Sequence, residues 1–203
     1  DRRGRYTRAD QAGKANKMTN VYLPSESQRK LMELSRQALE DCVRRIDRQK
    51  PEIDDPYLQS REYGAFVSLH NKEELRGCIG NCTPKSPLFE TVTEMTEAAA
   101  SRDPRVKPVS TKEITEIRID ITVLSPLRFV DDPLALEIGQ HGLYITAGKK
   151  RGVLLPQVAT QYGWNMKTFL EQTCLKAGLR KDAWKESDTE VSSFTALIIE
   201  ERQ

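Results

Sequence analysis

Residues 116–124, EIRIDITVL, alternate without a break: Ile117, Ile119, Ile121 and Val123 fall on one side of an extended chain, Arg118, Asp120 and Thr122 on the other. Side chains of a strand point to opposite faces with period two, so this segment belongs to a largely antiparallel sheet with one covered face. Any fold proposed for the chain must supply that sheet and something apolar to lie over it.

The other elements follow from local signals. Residues 25–49 read as a helix with Ser25 as N-cap, an apolar stripe of Leu31, Leu34, Ala38, Cys42, Val43 and Ile46, and Pro51 beyond its end. YGAFVSLH (63–70) reads as a strand, with 75–80 as its hairpin partner across the polar NKEE turn. Ser86 and Pro87 look like the cap and first-turn proline of a helix reaching about Ser101, with Leu88, Val92, Met95 and Ala99 on one face, stopped before Pro104. A second hairpin, GLYITAG into GVLLP, turns through Lys149, Lys150 and Arg151. Pro156 opens a short helix ending at Gly163. Asn165 caps another, whose inner face is Phe169, Leu170, Cys174 and Ala177 and which Gly178 stops. The last strand, Phe194–Ile199, is apolar on both sides and is expected at the centre of a sheet. Without regular βαβ alternation, the class is α+β: largely antiparallel sheets flanked by helices.

At 203 residues with 37% hydrophobic side chains, the chain can bury one core or two lobes that share one. No apolar run approaches the roughly 20 residues that span a bilayer, and no apolar stretch of a signal peptide opens the chain, so the expected location is cytoplasmic. The net charge of +2 conceals an asymmetry. Residues 1–17 hold Arg2, Arg3, Arg5, Arg8, Lys14 and Lys17 against Asp1 and Asp10, a net of +4, leaving −2 for the remainder. The 1–17 segment reads as a flexible basic leader or an engineered remnant, and 18–203 as a single domain. A body without positive excess, and with 6% aromatic residues lying mainly in apolar patterns, disfavours nucleic acid as a partner.

Chemistry concentrates in Leu75–Gly80, LRGCIG. Of the four cysteines, Cys42 and Cys174 sit at helical spacing with apolar neighbours, which leaves Cys78 and Cys82. Their spacing, with His70 and His141 as the only histidines, allows a metal site arithmetically without demanding one, so no metal and no cofactor is predicted. A thiolate needs positive charge nearby. Arg76 shares the strand face of Cys78, and His141 in GQHG could serve as a base, which would make Cys78 a nucleophile. The alternative is packing, with glycines that let a helix come close. A third possibility is an anion site in which Arg76, Arg102 and Arg105 converge, Gly77 and Gly80 expose backbone N–H groups, and the helix that opens at Pro87 adds its dipole. Tyr144, Tyr162, Trp164 and Trp184 either line a cleft or pack in the core. Phosphate-loop, dinucleotide and nucleophile-elbow patterns are absent.

Seven segments, GAFVSLH, LRGCIG, SRDPRVKPV, IDITVLSPL, GQHGLYITAGKKRGVLLPQVA, YGWNMKTFLEQTCLKAGL and DAW, occur in this order. With them the chain resembles the AMMECR-type domain family, the first component of the AMMECR, Memo and radical-SAM grouping, over about residues 25–201. The resemblance implies a two-lobed α+β fold with a central cleft near LRGCIG. The larger lobe would combine the N-terminal helix with the C-terminal half, and the smaller lobe would come from the middle. It implies no reaction, and it suggests a Memo-like or radical-SAM protein partner or a small-molecule pathway. The expectation is a cleft that binds, and in an enzymatic version acts on, an anionic small molecule or modified residue. Cys78 would be its catalytic residue, and Arg76, Gly77, Gly80, Arg102, Arg105 and His141 its ligand-binding residues. The alternatives are a non-catalytic adaptor for a protein partner and a nucleic-acid-associated factor.

Overall fold

The alternation of 117–123 becomes strand β3 (Ile117–Leu124) in a computed structural model that describes residues 20–47, 49 and 51–201. The basic 1–17 segment lies outside the described residues. β3 pairs antiparallel with β1 (Gly64–Asn71), and β1 with β2 (Glu74–Asn81), which confirms the first hairpin. With β8 (Ala196–Glu200) these form a four-stranded sheet in the order β2-β1-β3-β8. Helices α1 (Ser25–Arg44) and α2 (Leu88–Ser101) cover one of its faces. There Val67, Leu69, Ile119, Ile121 and Val123 are fully buried with Leu31, Leu39, Leu88 and Val92.

A second antiparallel sheet, in the order β4-β7-β5-β6, contains β4 (Arg128–Phe129), β5 (Gly142–Ala147), β6 (Lys150–Leu154) and β7 (Glu190–Phe194). The short helix α3 (Pro156–Gln161) and α4 (Met166–Lys176) complete this part, which has its own apolar cluster of Leu143, Ile145, Phe169, Leu170 and Cys174. The mixed class with two antiparallel sheets stands. The grouping of segments differs from expectation, because α1 packs on α2 and β3 from the middle of the chain. Its apolar stripe meets the first core, to which β3 and Ile199 of β8 also belong, while residues between Leu136 and Val191 build the second.

Several boundaries move for local reasons. Ser25 makes no cap bond and is the first helical residue of α1, after an extended Pro24. That helix ends at Arg44 because Arg45 turns left-handed at φ 58°, and Ile46 is exposed. Pro87 likewise precedes α2, and no side-chain bond from Ser86 caps it. Lys150 and Arg151 belong to β6, so the second hairpin turns at Gly148 and Lys149. Asn165 does cap α4, accepting the Thr168 N–H at 2.9 Å.

The final apolar run is the largest correction. It is two strands, split at Thr195: β7 lies inside the second sheet and β8 on the edge of the first, with Ile198 exposed. Both sides of the run are apolar because the chain changes sheets within it and presents a different face to each core. The crossing is fastened by Ser125, whose N–H donates to the Thr195 carbonyl and whose hydroxyl accepts the Thr195 N–H, each at 3.0 Å.

Candidate functional site

LRGCIG lies on β2, the other edge strand of the first sheet. A Cβ on Gly77 would stand 2.0 Å from the Ala99 carbonyl oxygen, so the strand touches the backbone of α2 there. A Cβ on Gly80 would stand 2.2 Å from the Phe66 ring. Close packing against protein, the α2 backbone at Gly77 and the Phe66 ring at Gly80, therefore accounts for both glycines.

An edge strand leaves backbone groups unpaired. At Cys78 they are claimed by the loop that follows α2: the Cys78 N–H donates to Asp103 Oδ2 at 2.9 Å, and Arg105 Nη2 donates to the Cys78 carbonyl at 2.8 Å. Asp103 is buried, and its Oδ1 also accepts from the Arg105 N–H and Nε. The Arg105 guanidinium, with the backbone bonds from Cys78 and Arg105, holds the Asp103 carboxyl far below the usual carboxylate range. The side chain of Cys78 is thereby presented from a backbone fixed on both sides. Its Sγ accepts a hydrogen bond from Ser68 Oγ at 3.2 Å.

The expected convergence of three arginines is not formed. Arg76 makes a two-pronged bond to Glu113, Nε to Oε2 at 3.0 Å and Nη2 to Oε1 at 3.1 Å. This guanidinium holds the Glu113 carboxyl down at about 2, and the Ser110 N–H donates to the same group. Arg105 is bound to Asp103, and Arg102 is exposed at the end of α2. The amino end of α2 offers no anion cradle either, because the N–H groups of Leu88 and Phe89 donate to the carbonyls of Ser60 and Leu58. His141 closes its own turn, with Nδ1 accepting the Glu137 N–H at 3.0 Å, and no hydrogen bond among the described residues joins it to Cys78. Trp164 and Trp184 pack against the second core, and the exposed Tyr162 stacks on Trp164.

Sequence reasoning missed Lys176, on the last turn of α4. Lys176 is exposed, its charge interacts with Cys78, Cys82 and Arg105, and partial desolvation by the surrounding protein lowers its pKa. Burial pushes the Cys82 thiol up to about 11, with Lys176 opposing. Lys176 belongs to the helix read from 165–178, but nothing in the spacing links that helix to LRGCIG. His70, which the sequence offered only as a metal ligand, lies on β1 beside Ser68, and its Nε2 is 3.4 Å from Asp120 Oδ2. Among the described residues, Cys78, Cys82 and the histidines gather into no metal-holding group. Two open hollows, about 420 Å³ beside Lys72 and Arg118 and about 350 Å³ beside Asn81 and Glu94, contain none of the expected site residues. No helix among the described residues is long and apolar enough to cross a membrane.

Two antiparallel sheets with four helices, and a glycine-flanked cysteine on an edge strand clamped by an Asp-Pro-Arg loop, define an α+β domain. The chain belongs to the AMMECR1 family, whose profile matches residues 32–199. A Methanothermobacter thermautotrophicus protein is 37% identical over 185 residues, covering 88% of this chain and 96% of its own. Protein TK0174 of Thermococcus kodakarensis is 40% identical over 181 residues, 84% of this chain and 88% of its own. The crystal structure of the uncharacterized protein PH0010 from Pyrococcus horikoshii superposes with a TM-score of 0.80 at 35% identity, covering 87% of this chain and 92% of that one.

Proposed function

We propose that the outer side of β2, where α4 ends, binds a small molecule through an anionic group, with Lys176 taking the charge and the Cys78 thiol in contact with the ligand. The observation that supports this is the pairing pattern of the cations. Arg76 and Arg105 are each matched to a carboxylate, whereas Lys176 forms no ion pair among the described residues and its charge reaches Cys78 and Cys82. A cation without a carboxylate partner near a nucleophile attracts an anion to it. The fixed backbone of Cys78 limits the sulfur to the few positions that rotation about its Cα–Cβ bond allows. In the enzymatic version Cys78 is the nucleophile, and its partners are Ser68 and Lys176 in place of Arg76 and His141.

Charge-selective labelling tests this reading. Iodoacetate and iodoacetamide differ in charge and attack the same sulfur, so their rate ratio at Cys78 reports the local field. Lys176→Met is expected to lower that ratio about threefold, the effect of one unit charge at an effective dielectric near 20 partly screened by solvent. A ratio indifferent to Lys176 would overturn the assignment.

A further inference from the structure

The register of the first sheet sets Cys78 opposite Ser68, Ser68 opposite Asp120, and Asp120 opposite Glu200. Val67 and Leu69 point into the core, so by strand alternation Ser68 and its neighbour His70 share the other face. Within this row Ser68 is the one hydroxyl donor, with an acceptor on each side of it, Cys78 Sγ and the Asp120 carboxylate. Ser68 has a single O–H, which is given to Cys78 Sγ. Asp120 is four-fifths buried: its Oδ2 has His70 Nε2 at 3.4 Å and Arg118 Nη2 at 3.5 Å, while Oδ1 is buried without a hydrogen-bond partner. An orphaned carboxylate oxygen is costly, and the hydroxyl that could serve it stands at the next position of the row.

We infer that Ser68 is a donor shared between Cys78 and Asp120, so that the Asp120–His70 pair governs the reactivity of the Cys78 thiol through the Ser68 hydroxyl. A thiolate at Cys78 and an ionised Asp120 cannot both take that one hydroxyl proton. With Asp120 ionised, the hydroxyl is drawn from sulfur to carboxylate and the negative charge of Asp120 also opposes a thiolate; with Asp120 neutral, both effects vanish. Ser68 keeps its proton throughout and only its O–H direction changes, while the proton lost from Cys78 goes to solvent. Burial raises the pKa of Asp120, with Arg118 and His70 opposing and Glu200 and Glu201 reinforcing. Around the thiol the charged neighbours are Lys176, Arg105 and the buried Asp103. Ser68, Asp120 and His70 are therefore positioning residues for Cys78. The inference shares that thiol with the binding site proposed above but rests on other side chains, so a neutral reagent tests it whatever iodoacetate reports.

The experiment is alkylation of the full chain by iodoacetamide, read at Cys78 by mass spectrometry between pH 4.5 and 9. Asp120→Asn is expected to react about threefold faster than the unsubstituted protein at pH 8, with the ratio falling to one where Asp120 is protonated. Ser68→Ala should slow the reaction about tenfold, the effect of one lost hydrogen bond to a charged group, and Ser68→Thr should restore it. In the Ser68→Ala background Asp120→Asn should gain distinctly less, because only the direct repulsion by the Asp120 charge is left to remove. Equal gains in both backgrounds would place the coupling outside Ser68 and overturn the inference. Should Ser68→Ala not fold, Ser68→Val, which keeps a strand-compatible shape without the hydroxyl, takes its place in the same comparison, and a ratio of Asp120→Asn to unsubstituted protein that is independent of pH overturns the inference by itself.

Discussion

On the face of the first sheet that α1 and α2 cover, Val67, Leu69, Ile119, Ile121 and Val123 are fully buried; between them on the same strands, facing the other way, stand Ser68, His70, Asp120 and Thr122. One residue along the chain separates a packing position from a polar one, and a register slip of one would exchange the two sets. The stability of the covered face thus fixes the geometry of the polar face without sharing any side chain with it. LRGCIG shows the same division: Gly77 is shaped by the helix beneath, and Cys78 by Ser68 and the loop beyond the edge.

The hardest way to break this division is Gly77→Ala. The new methyl would meet the Ala99 carbonyl oxygen, a helix backbone atom that cannot swing aside as a side chain can. Overpacking typically costs 1–3 kcal/mol, and a backbone obstacle places this case above that range, so about 4 kcal/mol is expected in urea unfolding. A loss below about 1 kcal/mol would mean that α2 and β2 adjust freely and that Gly77 does not set their distance. Gly80 is a milder case, because its obstacle is the Phe66 ring.

Next comes the clamp that joins the two faces from outside. Asp103→Asn keeps the shape but removes the charge that binds Arg105 and accepts the Cys78 N–H, with an expected cost of about 3 kcal/mol. The sign of its pH dependence follows from a folded-state pKa held below the unfolded value. Stability from Asp103 is fully present above the ordinary carboxylate range and is lost as pH falls through and below it. Glu113, held at about 2 by Arg76, adds in the same sense. Denaturant midpoints measured from pH 7 to pH 3 should therefore fall less steeply in Asp103→Asn than in the unsubstituted protein. Parallel curves would remove Asp103 from the acid sensitivity of the fold.

What the sequence disclosed divides along similar lines. Period-two alternation, the first hairpin and the Asn165 cap are local, and each could be read because a few consecutive residues carry the whole signal. The break at Thr195 was hidden because a chain that leaves one core and enters another stays apolar on both sides. The candidate site was legible only at its centre. Arg76 and Arg105 look like free cations in sequence, and only tertiary packing sets Glu113 against Arg76 and lays the Asp103–Arg105 pair over the edge of β2. The choice of His141 over His70 followed from an exposed glycine-rich turn. His70 is instead placed beside the thiol row by a register that pairs β1 with both β2 and β3. Lys176 lies nearly a hundred positions from Cys78, on a helix that belongs to the other sheet, so no spacing rule connects them.

The smallest expected effect on stability decides between the two readings of Cys78. Its backbone bonds to Asp103 and Arg105 do not use the side chain, and the side chain is only half-buried, so Cys78→Ala removes one hydrogen bond from Ser68 and little packing. The unfolding free energy should fall by less than about 1 kcal/mol, because the Ser68 hydroxyl can turn to Asp120 or water. A cost approaching that of Asp103→Asn would make the thiol a packing group like Cys174, buried in the second core. The polar face would then lose the thiol proposed as its reactive centre. A small cost, with the covered face undisturbed, leaves chemistry as the reason for a cysteine between two glycines, since the glycines alone account for the packing.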